Sequence, residues 1–303
     1  MLTYDRYVVP GSLTEVFNIL DADPASRILA GATDILPWAR YGRAGDVHLS
    51  YVIDISKVPE FKYIERSGDS LSFGSMTTIA DFQNNPILRQ YAPVLAQCAV
   101  WFADDQIREQ ATVGGNVVNA SPAGDSQPAL LALNTSVQLI RREGGKIIQR
   151  SIPLEEFIQG PGKTAMLPKE LLLGFKCDAM GSCGSAYEKV GHRRSLVIST
   201  VCLAVVAVSS PDHSSLSDIR IGIGAVGPVP KRLVNLEAAL IGQKVTGEIV
   251  RKIAEQASEF VLSRSRQEYR KVVLVNFVER AIIAAINKCG IKLARLAEEQ
   301  ICV

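Results

Sequence analysis

The densest group of residues that could do chemistry is the run 111–126, Ala-Thr-Val-Gly-Gly-Asn-Val-Val-Asn-Ala-Ser-Pro-Ala-Gly-Asp-Ser. Adjacent glycines can aim successive backbone N–H groups into one concavity, and such concavities bind anions, above all phosphates. Asn116, Ser121 and Ser126 add side-chain donors, and the carboxylate of Asp125 suits a ribose hydroxyl. A tight turn between strands would explain a bare Gly-Gly pair. The density of polar groups in this run favours phosphate binding.

A second candidate of the same kind lies near the start of the chain. Residues 27–30, Arg-Ile-Leu-Ala, predict a short buried strand, and residues 35–41 predict a helix. Between them, Gly31 permits a turn, Thr33 or Asp34 can cap the helix, and the helix N-terminus favours negative charge. An ordinary capped turn between a strand and a helix fits these residues equally well.

The segment Gly222-Ile-Gly-Ala-Val-Gly227 matches the G-x-G-x-x-G pattern of dinucleotide-binding proteins. That motif must open a helix within a β-α-β unit. Pro228 and Pro230 follow here, remove N–H donors and prevent a helix from starting at the required place. We therefore interpret this segment as a turn and not as a nicotinamide site.

Composition narrows the class of protein. The chain has 303 residues, with 47% hydrophobic and 21% charged residues and a net charge of +2, which predicts about two domains and argues against nucleic-acid binding or a polybasic membrane surface. We expect no membrane span. The six cysteines form no C-x-x-C pair, and residues 1–10 do not resemble a signal peptide, so we expect reduced thiols and a cytoplasmic location. The three histidines are scattered, which argues against a metal site or a histidine-based triad.

Hydrophobic patterning predicts an α+β chain without internal repeats. Two hairpins, a strand at 171–177 and several helices fill the first part, up to residue 176. A meander of three antiparallel strands at 186–190, 199–209 and 216–223 follows, and alternation along the second strand indicates a half-buried sheet. Helices at 233–241, 247–262 and 269–288 complete the chain.

Together these motifs resemble the FAD-binding subunit of molybdenum hydroxylases, the family of xanthine dehydrogenase and carbon monoxide dehydrogenase. The resemblance covers about residues 4–288. It rests on the following segments: Ala30-Gly-Ala-Thr-Asp-Ile35, Gln106-Ile-Arg108, Thr112-Val-Gly-Gly-Asn116, Ala120-Ser-Pro-Ala-Gly-Asp125, Gly160-Pro-Gly-Lys-Thr164 and Gly224-Ala-Val-Gly-Pro-Val-Pro-Lys-Arg232.

The resemblance implies a fold of the vanillyl-alcohol-oxidase type. Its FAD-binding domain would span 1–176, as two α+β subdomains at about 1–57 and 58–176. A C-terminal α+β domain at 177–290 would hold the three-stranded antiparallel sheet and its helices, before a tail at 291–303.

The resemblance also implies the residues that hold FAD. Two loops would bind the pyrophosphate and Asp125 would hold the ribose. Phe102 and Leu172 would lie against the cofactor, and Lys189 would lie close to the flavin. The complete set is Ile28, Leu29, Ala30, Gly31, Ala32, Thr33, Asp34, Ile35, Phe102, Thr112, Val113, Gly114, Gly115, Asn116, Ser121, Asp125, Leu172 and Lys189.

By the same resemblance, electrons would pass from molybdopterin and 2Fe-2S clusters in partner subunits through FAD to NAD or another acceptor. The partners would be a large molybdopterin-binding subunit and a small iron–sulfur subunit, assembled as a heterohexamer. Two alternatives stay open: a degenerate nucleotide-binding or scaffolding subunit without redox activity, and a stand-alone flavin oxidase.

Three features depart from the family pattern. Ala32 stands where a second glycine is usual, so the backbone there must avoid positive φ or bear strain. Val197 replaces a common aspartate near the flavin. The segment Trp101-Phe-Ala-Asp-Asp-Gln106 replaces a smaller version that contains proline.

Overall fold

The computed structural model describes residues 2–40, 47–193, 195–263 and 265–292, so Tyr41 of the expected second helix and residues 293–303 of the expected tail lie outside the described residues. The strands are β1 (Leu2–Val8), β2 (Arg27–Leu29), β3 (Val47–Asp54), β4 (Ile64–Ser67), β5 (Ser70–Gly74), β6 (Ser136–Glu143), β7 (Lys146–Pro153), β8 (Ile158–Gly160), β9 (Lys163–Thr164), β10 (Leu171–Asp178), β11 (Gly184–Val190), β12 (Val201–Ser209), β13 (Leu216–Gly224) and β14 (Lys231–Arg232). The α-helices are α1 (Leu13–Ala22), α2 (Ile35–Arg40), α3 (Ile79–Asn84), α4 (Pro86–Tyr91), α5 (Pro93–Trp101), α6 (Asp105–Gln110), α7 (Val113–Val118), α8 (Ser126–Ala132), α9 (Leu154–Phe157), α10 (Val234–Ala238), α11 (Gly247–Gln256) and α12 (Gln267–Lys288); 3-10 turns span Ile55–Lys57, Pro59–Phe61 and Ala257–Phe260.

The first sheet is parallel, with strand order β1-β3-β2. Helix α1 begins at the N-cap Ser12, whose side chain accepts from the backbone N–H of Glu15, as the capping pattern predicts. Its buried residues Val16 and Phe17 share a core with Ile53 of β3. Because parallel strands end at the same edge, this sheet places the 30–34 segment, which follows β2, at its carboxyl edge.

Helices α5 and α8 contribute to the core that two sheets share. Between them they contact strands β11, β12 and β13, and their buried residues belong to the same hydrophobic core as the five-stranded sheet β4-β5-β10-β6-β7. A single hydrophobic core holds Phe73 and Phe175 of the five-stranded sheet together with Tyr187 of β11 and Val206 of β12. One core therefore spans the predicted boundary near residue 176.

The C-terminal sheet has four strands, in the order β11-β12-β13-β14, so the three strands expected from the sequence were one too few. The additional strand has only two residues and pairs through Arg232 with Gly222, and so short a run directly after Pro230 carries no detectable alternation. The Arg232 guanidinium also forms a 2.6 Å ion pair with Glu237. Glu237 accepts from the backbone N–H of Ile221 as well, and thus fixes the strand to α10.

Strand β12 is buried on both faces, where the sequence indicated one exposed face. Val205 packs into the C-terminal core, and Val206 packs against α5 and α8. Helix α12 covers the other face of β11 and β12, with Leu274, Val278 and Ile282 fully buried. Among the described residues, no helix combines the length and apolarity that crossing a bilayer requires.

The G-x-G-x-x-G segment is a turn, as predicted. Its first glycines end β13, bends follow, and the chain enters β14 without forming a helix. A Cβ on Gly222 would lie 2.2 Å from the carbonyl oxygen of Pro128 in α8. The glycine is therefore needed so that α8 can approach the strand closely.

We predict that Gly222→Ala lowers the free energy of unfolding by about 1–3 kcal/mol, the usual cost of overpacking. Gly227→Ala in the same motif is the control, because its Cβ would meet no atom closer than 3.7 Å. Urea denaturation of both variants measures the difference. Equal stability of the two variants would contradict the packing explanation.

Candidate functional site

The first glycine segment connects the end of β2 at Leu29 to the start of α2 at Ile35. Within the part of the chain that the structure describes, no turn, loop or cap hydrogen bond is donated by the backbone N–H groups of residues 31–34. The N–H of Leu36 bonds to the carbonyl of Ala32 at 3.3 Å. The segment thus presents a row of backbone donors at the carboxyl edge of the first sheet, which is suited to an anion.

Ala32 adopts the left-handed conformation, with φ 58°. This conformation is costly for a residue with a Cβ, on the order of 1–2 kcal/mol. From the sequence, the backbone at residue 32 either avoids positive φ or bears strain. The structure shows positive φ, so the backbone bears strain at Ala32.

The two glycine-containing segments lie in contact with each other. A Cβ on Gly31 would fall 1.9 Å from the carbonyl oxygen of Gln110, so only glycine allows the first segment to rest on the residues that precede the second. The Asn119 side chain also donates to the Asp34 carboxylate at 2.8 Å. The sequence predicted both segments, and the structure brings them together.

The second segment differs from the open concavity that we expected. Thr112 caps the short helix α7, and the N–H groups of residues 113–116 are all paired within the chain, to Thr77, Ser75 and Thr112. A Cβ on Gly114 would lie 2.6 Å from the Ser75 carbonyl oxygen. The expected nest of unpaired donors was wrong. Segment 75–77, distant in sequence, accepts from Val113 and Gly114, Thr112 accepts from Gly115 and Asn116, and Gly114 serves close packing.

Asp125 and Lys189 form a buried ion pair. The Lys189 Nζ lies 2.6 Å from the Asp125 Oδ2, with side-chain exposures of 3% and 11%. Ser199 donates its hydroxyl to the Asp125 Oδ1 at 2.5 Å, and Lys189 donates also to the Trp101 carbonyl at 3.0 Å. Both oxygens of the carboxylate already accept hydrogen bonds from within the chain. The contact with a ribose hydroxyl therefore stays a prediction, and it requires one of these oxygens to accept a second hydrogen bond.

Burial raises the pKa of Asp125 above its usual range, while Lys189 and Ser199 act to lower it. Burial also raises the pKa of the neighbouring Cys98 thiol, and that of Cys202 to about 12. Both thiols therefore stay protonated at neutral pH. The charge at the centre of the site is carried by the Asp125–Lys189 pair.

A cavity of about 180 Å³ adjoins this pair. It is smaller than the roughly 300 Å³ at which ligand pockets begin, so a ring system would enter it only at one edge. Val197, one of the departures from the family pattern, lies in its wall. The lining residues are Trp101, Lys189, Val190, Gly191, Arg193 and Val197.

Four other predicted site residues are Phe102, Leu172, Asn116 and Ser121. Phe102 ends α5 and packs, with Leu172 of β10, against the core between the two sheets. The Asn116 side chain accepts from the Ser126 hydroxyl at 2.7 Å, and Ser121 accepts from the N–H of Ala123. These contacts support the loop that ends at Asp125.

Sequence reasoning missed Ser199 and Tyr187, which both donate to Asp125, Tyr187 through its hydroxyl to the main-chain carbonyl at 2.8 Å. Ser199 and Thr200 interrupt an otherwise apolar run at 196–206. These two adjacent hydroxyls directly before a buried strand could have indicated a polar partner inside the protein, because buried polar groups need hydrogen-bond partners.

Comparison with known proteins shows which families and relatives the sequence of this chain matches. Residues 2–176 match the model described as the FAD binding domain in molybdopterin dehydrogenase, and residues 185–285 match the CO dehydrogenase flavoprotein C-terminal domain. The xanthine dehydrogenase FAD-binding subunit of Escherichia coli O157:H7 is 27% identical over 97% of this chain and 100% of its own length. The nicotine 6-hydroxylase medium subunit of Paenarthrobacter nicotinovorans is 30% identical over 92% of this chain and 96% of its own.

The fold is similar to a chain of carbon monoxide dehydrogenase from Hydrogenophaga pseudoflava, in a structure that lacks the Mo-pyranopterin moiety of the molybdenum cofactor. The TM-score is 0.85 at 27% identity, and the match covers 94% of this chain and 98% of that chain.

We predict that Ala32→Gly stabilises the chain by about 1 kcal/mol. Glycine removes the strain of the left-handed conformation, and the greater backbone entropy of glycine in the unfolded chain cancels part of this gain. Ala30→Gly, two residues away and outside the positive-φ positions, should instead destabilise by roughly 0.5–1 kcal/mol. Thermal denaturation of both variants measures the difference, and a destabilised Ala32→Gly variant would contradict the strain.

We predict that Lys189→Met lowers the free energy of unfolding by about 3–5 kcal/mol at neutral pH, because it leaves a buried carboxylate without its countercharge. The loss should shrink as the pH falls, since a protonated Asp125 needs no partner. The double variant Asp125→Asn with Lys189→Met should recover part of the loss. Urea titrations at several pH values test this, and a loss that does not change with pH would exclude Asp125 as the stranded charge.

Proposed function

We propose an electron-transferring role for this chain on the premise that it belongs to the family of FAD-binding subunits of molybdopterin dehydrogenases. It is an oxidoreductase subunit, and its cofactor is FAD. In this role the chain accepts electrons from iron–sulfur clusters in a partner subunit and passes them through FAD to NAD or another acceptor. The observation that carries the proposal is the contact between the two glycine segments, the second of which is linked through the Asn116–Ser126 hydrogen bond to the loop that carries Asp125 of the ion pair.

The residues present fit an FAD pyrophosphate. Backbone N–H groups of residues 31–34 are donors without a described turn, loop or cap bond, and left-handed Ala32 keeps the segment turned. The segment Ile28 to Ile35 would hold the pyrophosphate, with Thr112 to Asn116 packed beside it as the supporting wall. Because the N–H groups of residues 113–116 are already hydrogen-bonded within the chain, the first segment would make most of the hydrogen bonds to the pyrophosphate.

The Asp125–Lys189 pair would serve the ring end of the cofactor. FAD, when bound, supplies the redox-active ring system. Lys189 would stabilise negative charge there, since a contact between unit charges in a partly screened site is worth on the order of 1–4 kcal/mol. The Asp125 carboxylate offsets part of the positive charge of Lys189. The ion pair therefore orients the ammonium more than it adds net positive charge to the site.

Trp101 and Phe102 would wall this end of the site. Trp101 lines the cavity beside Lys189, and Phe102 follows directly, packed against the inter-sheet core. Their side chains exclude water from the ammonium, which strengthens its interaction with any charge nearby. Leu172 contributes to the same core.

The partners follow from the family. We propose a large molybdopterin-binding subunit and a small iron–sulfur subunit. The word medium in the name of the nicotine 6-hydroxylase relative indicates a larger and a smaller subunit in that enzyme. The substrate is decided in the large subunit.

A scaffolding subunit without redox activity is the second candidate, and Ala32 favours it because its strained backbone weakens the segment that binds the pyrophosphate. Restoring FAD to the stripped complex separates the two: a scaffold keeps its partners but transfers no electrons.

We predict that the purified chain binds FAD with a flavin absorption spectrum, and that Gly31→Ala weakens this binding at least about tenfold, equivalent to 1.4 kcal/mol. The added Cβ would displace the first segment from Gln110. Gly227→Ala is the control and should bind FAD like the parent, because the G-x-G-x-x-G turn lies outside the proposed site. Calorimetric titration measures all three.

A chain that takes up no FAD would overturn the proposed function. Loss of binding in Gly227→Ala with retention in Gly31→Ala would move the nucleotide to the other motif.

A further inference from the structure

We propose that Ser199 is a positioning residue, which holds the Asp125 carboxylate so that Lys189 directs one N–H of its ammonium into the cavity at the ring end of the site. The inference rests on the proposed FAD site and assigns a role to a side chain that does not itself contact the cofactor.

The two oxygens of Asp125 have separate tasks. Oδ1 accepts from the Ser199 hydroxyl at 2.5 Å, and Oδ2 accepts from the Lys189 ammonium at 2.6 Å. A carboxylate can accept from both oxygens, and without the hydroxyl it could rotate to offer both of them to the lysine. Ser199 therefore fixes the orientation of the carboxylate, and the carboxylate fixes the ammonium.

Ser199 is itself held rigidly. It is 4% exposed, and its neighbour Thr200 is anchored on both sides: the Thr200 N–H bonds to the Val190 carbonyl at 2.8 Å, and the Thr200 carbonyl accepts from Arg270 of α12. Among the described residues, the Ser199 hydroxyl donates to Asp125 alone. A buried hydroxyl on an anchored backbone is a precise support for a charged group.

Lys189 has one N–H to spare. An ammonium carries three N–H donors, and the described residues account for two, to Asp125 and to the Trp101 carbonyl. Lys189 also lines the cavity, so the third N–H is the one available to a ligand there. Its direction depends on the other two bonds, and hence on Ser199.

Removing the hydroxyl has a defined electrostatic consequence. The carboxylate loses one stabilising donor, which raises the pKa of Asp125 further. Below that pKa the positive charge of Lys189 is no longer offset, and reduction of a nearby flavin becomes more favourable. Within the part of the chain that the structure describes, the other polar or titratable groups near the pair are Cys98 of α5, Tyr187 of β11, Cys202 of β12 and Arg193, which lines the same cavity.

The test is the midpoint potential of the FAD-loaded full-length chain, measured by spectroelectrochemistry as a function of pH. Ser199→Ala should raise the potential at mildly acidic pH. The pH at which protonation of Asp125 changes the potential should be about 1 unit higher than in the parent, the size of one hydrogen bond to a charged group. Ser199→Thr keeps the hydroxyl and should restore the parent profile.

Ser185→Ala is the matched control. Ser185 lies on β11 four residues before Lys189, on the same face of the strand. It is equally buried, and its hydroxyl accepts from Gln97 at 2.9 Å rather than contacting Asp125. This variant should keep the parent potential, so that loss of a buried serine hydroxyl in general is separated from loss of this one.

The inference is wrong if Ser199→Ala and Ser185→Ala give the same profile as the parent, or if both shift alike. Should Ser199→Ala fail to fold, Ser199→Cys, a weaker donor of similar size, must shift the potential in the same direction. A parent chain that binds no FAD refutes the proposed function instead, which keeps the two failures distinct.

Discussion

The arrangement of the site depends on the buried ion pair between Asp125 and Lys189. Asp125 ends the loop that leads into α8, and Lys189 lies in the C-terminal sheet, so the pair joins the two halves of the chain across the core that α5 and α8 share. Removing two charges from water is costly, and the cost is offset here by additional bonds from Ser199 and to Trp101. A pair supported in this way holds the loop and the sheet in one fixed relation, beside the cavity that Lys189 lines.

Several glycines are required in this fold because backbone segments approach each other closely, and three of them bear on the site. Gly31 lets the first segment rest on Gln110, Gly114 lets α7 approach Ser75, and Gly222 lets α8 approach β13 through Pro128. Two of these contacts assemble the proposed pyrophosphate site, and the third connects α8 to the C-terminal sheet. The position at which positive φ is needed in the first segment, residue 32, carries alanine. The proposed site is therefore assembled by packing and is strained at one position.

Much of the fold could be predicted from local patterns: the Ser12 cap, the two hairpins, and the prolines that rule out a helix after Gly227 all have local physical causes. The misses have nonlocal causes. The N–H groups of Val113 and Gly114 are paired by segment 75–77. The second face of β12 is covered by α5 and α8, which lie about 70 residues or more earlier in the chain. Tertiary contacts of this kind leave no periodic signal. For the site, family resemblance named Asp125 and Lys189 but gave no indication that they bind each other, and Ser199 was found only through the structure.

The central claim is that one FAD binds with its pyrophosphate against residues 31–34 and its ring edge at the Lys189 cavity. A crystal structure of the chain with FAD tests this most directly. The account predicts one cofactor per chain, with phosphate oxygens within hydrogen-bond distance of those N–H groups and the Asp125–Lys189 pair intact. A cofactor bound elsewhere, or Lys189 turned away from both Asp125 and the ring, would contradict it.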